Sequence, residues 1–107
     1  MRAIKRFELL YAAQVKEHLQ AIEKKYHSLI RRTIETLLQF NPDVETRNRK
    51  PLKRPAELGA DLEIRFGPGN RFRVFYTIER EHRQVFILAV GMKKRNRLII
   101  GREEVRL

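Results

Sequence analysis

Two periods of apolar and polar residues divide the chain. Residues 3–10 (Ala-Ile-Lys-Arg-Phe-Glu-Leu-Leu) read as a short first strand, with Phe7 and Leu9 on one face. From residue 12 to 40 the period lengthens. Val15, Leu19, Ile22, Tyr26 and Leu29 recur at alternating steps of four and three, and Ile30, Ile34, Leu37 and Leu38 continue the stripe. That is the pattern of a core-facing helix surface. No Gly or Pro interrupts it, yet nearly thirty residues is long for one helix in a chain of 107. The spacing therefore predicts a break near residues 24–28 and an antiparallel helix pair. Asn41-Pro42 is expected to end the pair, with Asn in a left-handed cap and Pro unable to continue the helix.

Residues 41–60 read as a long connection that contains Pro51, Pro55 and the basic run Arg47-Asn48-Arg49-Lys50. Loops of this length in small domains are commonly functional. Strand alternation then returns, with Leu62, Ile64 and Phe66 on one face and Glu63 and Arg65 on the other. Gly67-Pro68-Gly69-Asn70 is a strong turn signal. Beyond it Phe72, Val74, Tyr76 and Ile78 alternate with Arg71, Arg73, Phe75 and Thr77. A polar turn over 79–83 leads into 85–90, apolar at every position, as expected of a central strand buried on both faces. Gly91 is expected to end that strand, and Leu98-Ile99-Ile100 to form a last short one. The resulting expectation is an α+β fold in the order β-α-α-β-β-β. It is a small, mainly antiparallel sheet with a helical hairpin packed on one face, and residues 1–107 form a single domain.

Charge sharpens this picture. The chain carries 24 Lys plus Arg against 13 Asp plus Glu, a net charge of +11. Residues 1–46 hold 8 basic and 6 acidic side chains, whereas residues 47–107 hold 16 and 7. A one-sided excess of this size points to a polyanionic partner. Arg outnumbers Lys by 16 to 8, which favours phosphate, because the guanidinium is a planar donor fork. A membrane surface would call for a basic amphipathic helix, and here the basic residues concentrate outside the helical region. With no cysteine, disulfides, thiolate metal sites and cysteine nucleophiles are excluded. His18, His27 and His82 are too scattered for a metal cluster, and no cofactor motif is present. The first residues lack the apolar run of a signal peptide, so a cytoplasmic protein is expected.

The meander brings distant cations together. Arg65, Arg71 and Arg73 lie near the 67–70 turn, and the basic segment 93–97 follows the fourth strand to the same end. Arg65 and Arg73 share the face opposite the apolar set, where like charges repel unless water or an anion lies between them. A phosphate is the natural occupant. Taken singly, each of these side chains reads as a solvated surface group; it is the cluster that suggests a site. RNA cleavage without metal can use the adjacent ribose 2′-hydroxyl as nucleophile. The protein then supplies a base, an acid and cations for the charge that builds on phosphorus. Arg73, Arg65 and Lys93 suit the last role. For the base, His82, Glu63 and Lys93 or Lys94 remain open alternatives.

In order and spacing, three segments are similar to those of one family. They are Asp61-Leu62-Glu63-Ile64-Arg65-Phe66, then Arg71-Phe72-Arg73-Val74-Phe75-Tyr76, then Ile87-Leu88-Ala89-Val90-Gly91-Met92-Lys93-Lys94, all downstream of the helix pattern that ends at Asn41-Pro42. Over nearly its whole length the chain resembles the RelE/ParE superfamily of toxins from type II toxin–antitoxin modules. The resemblance implies a small sheet with two helices against it and a cognate antitoxin as partner. It also implies ribosome-dependent mRNA cleavage by 2′-hydroxyl attack, with Arg73, Arg65 and Lys93 as catalytic residues. Arg71, Lys94, Arg95, Arg97, Arg49 and Lys50 are the accompanying candidates for RNA binding. Two positions depart from the pattern: Ile99 stands where a C-terminal tyrosine is expected, and Glu63 where a further basic residue is. The ParE-like branch poisons DNA gyrase without cutting RNA, and a non-catalytic RNA-binding module is a third possibility.

Overall fold

The computed structural model describes residues 6–43, 48–52 and 59–105. Among the described residues seven strands form one sheet: β1 Glu8–Tyr11, β2 Arg49–Pro51, β3 Leu62–Phe66, β4 Phe72–Glu79, β5 Gln84–Lys94, β6 Arg97–Ile100 and β7 Glu103–Val105. Two α-helices, α1 Val15–Gln20 and α2 His27–Leu38, separate β1 from β2. The order across the sheet is β2-β3-β4-β5-β6-β7, with every neighbour antiparallel, and β1 pairs in parallel with β5. The α+β class, the mainly antiparallel sheet and the 67–70 turn agree with the sequence. The simple β-α-α-β-β-β order does not hold element for element.

The helical region breaks over residues 21–26, overlapping the expected 24–28 but starting earlier, and it divides unequally. α1 spans only six residues, and a 3-10 turn over Lys24–Tyr26 leads into the twelve residues of α2. Ile22 turns into the core between them, and the His27 Nε2 donates to its carbonyl at 2.8 Å, which satisfies an acceptor left over by the break. On α2 the buried side chains are Ile30, Ile34 and Leu38. Leu29 and Leu37, expected in the same stripe, are exposed, because the sheet covers the helix on one side only. Nor does Asn41 adopt the expected left-handed cap: among the described residues the non-glycine positions at positive φ are Asn70, Arg83 and Arg95. Instead, Arg49 reaches from β2 and donates to the carbonyls of Leu37, at 2.7 Å, and Asn41. The segment after α2 is tied to the sheet by the buried Tyr76, whose hydroxyl donates to the Pro42 carbonyl at 2.6 Å. Burial pushes that phenol up to about 12.

β5 is longer than the sequence suggests. Gly91 does not end it; the strand runs through Gly91, which faces Arg73 on one side and Ile100 on the other. A Cβ there would stand 2.9 Å from Ile100 Cγ1 and 3.0 Å from the Ile99 carbonyl oxygen, so the glycine makes room for β6. The register against β4 also slips: Phe75 pairs with Ala89 and Tyr76 with Ile87, leaving Leu88 as the extra residue of a bulge. Val85 and Ile87 before the bulge, and Val90 after it, thereby all face the helix-side core. Phe75, Ala89, Ala60 and Ile100 form a second, smaller cluster.

One edge of β5 is shared by two strands. β1 pairs with 84–87 and β6 with 91–94. In the gap between them α1 and its N-cap residue supply side chains: Gln14 Nε2 donates to the Leu88 carbonyl, and the Val90 N–H donates to His18 Nδ1, both at 3.3 Å. Burial pushes the His18 pKa below its ordinary value of 6.5, against the smaller opposing effect of Glu17. Because Nδ1 must be unprotonated to accept, His18 stabilises the fold in its neutral form. That contribution is complete above pH 6.5 and is lost as pH falls from there through the lower pKa of the folded state. Thermal midpoints measured from pH 8 to 5 should show this acid-side loss, and His18→Gln should flatten it. An unchanged slope in the variant would remove His18 as its source.

Candidate nucleic-acid interface

Alternation along β3 places Glu63 and Arg65 on the face away from the helices, and the turn returns β4 so that Arg73 lies directly across from Arg65. The expected like-charge pair therefore exists, but its gap is not left for an external anion. The Glu63 carboxylate fills it, 2.6 Å from Arg65 Nε and 3.6 Å from Arg73 Nη1. The three side chains differ in exposure: 7% for Glu63, 10% for Arg73 and 42% for Arg65. Arg73 Nε also donates to the Asn70 carbonyl at 3.3 Å, which ties the guanidinium to the turn. Burial, and then the neighbouring Arg65, push the Arg73 pKa down, while Glu63 opposes them. Arg65 is left with donors turned towards solvent, and Arg73 with a charge that water screens poorly.

The end of β5 is strapped to this centre by the Lys93 N–H, which donates to the Arg71 carbonyl at 2.6 Å. Two clefts open around it. One, of about 640 Å³, is lined by Glu63, Arg65, Arg73 and Lys93, with Leu98 and Glu104 among its other walls. The other, of about 460 Å³, lies at the 67–70 turn and takes in Arg71, Arg73, Lys93, Lys94 and Arg95 together with Tyr26 and Glu23. Arg73 and Lys93 line both, so the two clefts adjoin. Six of the sequence candidates are thus brought together: Arg65, Arg71, Arg73, Lys93, Lys94 and Arg95. Lys93 and Lys94 sit on the strand itself, and Arg95 at positive φ in the turn to β6.

The remaining candidates lie elsewhere. Arg49 is 5% exposed, and its guanidinium caps α2 rather than facing solvent. Arg97, on β6, lines neither cleft and lies 4.0 Å from Glu104. The side chain of Lys50 falls outside the described residues, as does Arg47. His82 is in the β4–β5 turn, where its Nδ1 lies 2.6 Å from Glu79 Oε2. The backbone N–H of His82 is the main cause that holds the Glu79 carboxyl low. Among the described residues, Glu79, Glu81 and His82 are a group whose ligand-type atoms fall within 4.8 Å of one another, in that exposed turn and not at the cationic clefts. Ile99 pairs with Met92 and lines a third cleft with His18, which shares Met92 and Lys94 with the cleft at the turn but is not lined by Arg65 or Arg73.

Sequence reasoning missed Tyr26 and Glu23. Both read as parts of the helix stripe and its break, and nothing local to residues 23–26 signals that they meet the 67–70 turn. The only cue was the break itself, since a chain that turns there presents side chains at the end of the sheet.

No protein-family model and no curated protein matches the chain in sequence. In three dimensions it is similar to a chain in the crystal structure of the RelBE2 toxin–antitoxin complex from Mycobacterium tuberculosis. The TM-score is 0.66 at 21% identity, over 87% of this chain and 98% of that one. The two share a fold. No described helix is long and apolar enough to cross a membrane.

Proposed function

We propose that residues 1–107 form one toxin domain of a toxin–antitoxin pair, and that it inhibits translation by cutting mRNA on the ribosome. The observation that carries this reading is the Arg65–Arg73 pair held across two strands by Glu63, with Lys93 lining the clefts on both sides. In such a reaction the ribose 2′-hydroxyl attacks phosphorus as a base takes its proton, and the bond to the 5′-oxygen breaks as that oxygen takes up a proton, leaving a 2′,3′-cyclic phosphate and a 5′-hydroxyl. Negative charge builds on the non-bridging oxygens, and fixed cations in a partly dry cleft stabilise it most. Arg65 and Arg73 bind the scissile phosphate; Glu63 orients both guanidiniums from beneath, and Lys93 or Arg95 assists. Arg71 and Lys94 hold flanking phosphates. The partner in the resting state is a cognate antitoxin whose acidic segment covers these cations, and the working environment is the cytoplasm. The likeness of fold to a chain of a toxin–antitoxin complex supports the assignment.

The test is a reconstituted translation reaction with purified protein, in which mRNA 5′ ends are mapped with and without ribosomes. Cuts inside A-site codons, carrying 5′-hydroxyl ends and absent without ribosomes, are the expected result. Intact mRNA with a folded protein would shift the reading to a toxin that traps DNA gyrase, for which an SOS response without mRNA loss is the signature. Folded protein that binds RNA and arrests nothing would reduce it to a binding module.

A further inference from the structure

The cleft at the 67–70 turn holds more than phosphate requires. Five cationic residues line it, and so do a carboxylate, Glu23, and apolar groups that include the Tyr26 ring and Met92. Unlike Glu63, which bridges Arg65 and Arg73, Glu23 pairs with Lys25 and with none of these five cations, so it repels a bare anion without orienting its ligands. The combination fits a ligand that is anionic at one end, flat in the middle and rich in N–H donors at the other. We propose that this cleft is a nucleobase subsite that prefers guanine, with Tyr26 as the stacking surface and Glu23 as the specificity-determining group. This rests on the reading of the chain as an mRNA-cutting toxin and identifies which part of the substrate the cleft holds.

Three features support it. First, the 3-10 turn fixes both groups: Glu23 has extended φ and ψ of −52° and 133°, and its carbonyl accepts from the Tyr26 N–H at 3.0 Å. Second, Tyr26 is braced from the core by Phe72, with ring centroids 5.1 Å apart and a tilt of 58°. The Lys25 ammonium lies over the Tyr26 ring, 5.1 Å from its centroid, and 3.5 Å from the Glu23 carboxylate. Lys25 and Glu23 are both exposed, so this pair is weak and readily displaced. A base that slides onto the ring takes the place of the ammonium and frees the carboxylate to accept new hydrogen bonds. Third, a carboxylate is an acceptor only, with two oxygens. Guanine is the base whose pairing edge offers two adjacent N–H donors, and unstacked RNA bases are read on that edge while they stack on aromatic rings. A volume of about 460 Å³ lies within the range of nucleotide-sized sites. The cations at 71, 94 and 95 take the phosphate.

Titrating the protein with GMP, AMP, CMP and UMP, followed by the backbone amide signals of Tyr26, Gly69 and Arg71, tests this directly. GMP is expected to bind roughly tenfold more tightly than the others. Glu23→Gln should abolish the preference by weakening GMP alone, since the amide has lost one acceptor. If Glu23→Gln raises the affinity of all four nucleotides equally, the carboxylate only repels phosphate and the proposal fails. Equal binding of the four by the unmodified protein overturns it as well. Mapping mRNA cuts with the same variant separates the two readings. Cleavage with no guanine dependence, unchanged by Glu23→Gln, leaves the nuclease standing without this subsite. A guanine preference lost in Glu23→Gln, with mRNA intact, leaves the subsite standing without the nuclease.

Discussion

Gly67→Ala is expected to destabilise the protein by about 2–4 kcal/mol, combining backbone strain with a clash in the core. At φ 82° and ψ −176°, Gly67 occupies a region that L-residues with a Cβ avoid. A Cβ at this position would stand 2.4 Å from Phe72 Cδ2 and 2.9 Å from Cε2. Phe72 has little freedom to withdraw: it is fully buried, with Tyr26 and Phe66 at ring-centroid distances of 5.1 and 5.8 Å. Gly69 provides the control. Its φ is also positive, 62°, but nothing lies within 4 Å of a Cβ there, so Gly69→Ala should cost only the left-handed penalty of about 1 kcal/mol. Urea denaturation of the two variants, analysed with a common slope, gives the difference. Equal losses would mean that Phe72 yields without cost and that the turn is not locked by its packing. A loosened turn would also release the register that sets Arg65 opposite Arg73, so under the proposed function Gly67→Ala should lose RNA binding more than its stability alone accounts for.

What could be read from the sequence was whatever repeats locally. The alternation in 62–66 and 72–78, the Gly-Pro-Gly-Asn turn between them and the apolar run at 85–90 sufficed for the central strands and for the side of the sheet that carries Arg65 and Arg73. β2 left no such trace. Arg49, Lys50 and Pro51 have no alternation, and they form a strand because β3 offers an open edge to pair with. The same distance in sequence hid the role of Arg49: in a basic run it resembles a phosphate ligand, and only the fold brings the end of α2 within its reach. The bulge at Leu88 was invisible for a different reason. In a run that is apolar at every position, a slip of one residue exchanges one apolar side chain for another, so no pattern marks it. Glu63 was legible in part. Its place on the Arg65 face follows from alternation, but its role in joining Arg65 to Arg73 depends on the exact cross-strand register, which β3 and β4 set together.

That bridged pair leads to the largest expected effect on activity. Under the proposed function, Arg73→Ala should reduce ribosome-dependent cleavage at least about 100-fold, the scale of losing one preorganised donor to a developing oxyanion. Arg65→Ala should cost less, because Arg65 is 42% exposed and Arg73 only 10%, so solvent and salt screen the Arg65 charge more. Arg73→Lys keeps the charge but loses the fork, and belongs between wild type and Arg73→Ala. The alanine variant carries a second effect, because it leaves the buried Glu63 carboxylate with Arg65 as its remaining partner in the cluster. A displaced Glu63 could mimic the loss of a catalytic cation. The double variant Glu63→Gln/Arg73→Ala separates the two, since it removes the stranded charge and keeps the side-chain volume at position 63. If cleavage stays low in the double variant while its stability returns, the missing guanidinium is the cause. Recovery of cleavage would instead mean that Arg73 serves only to neutralise Glu63, and the phosphate would then have to be held by Arg65 and Lys93 without it.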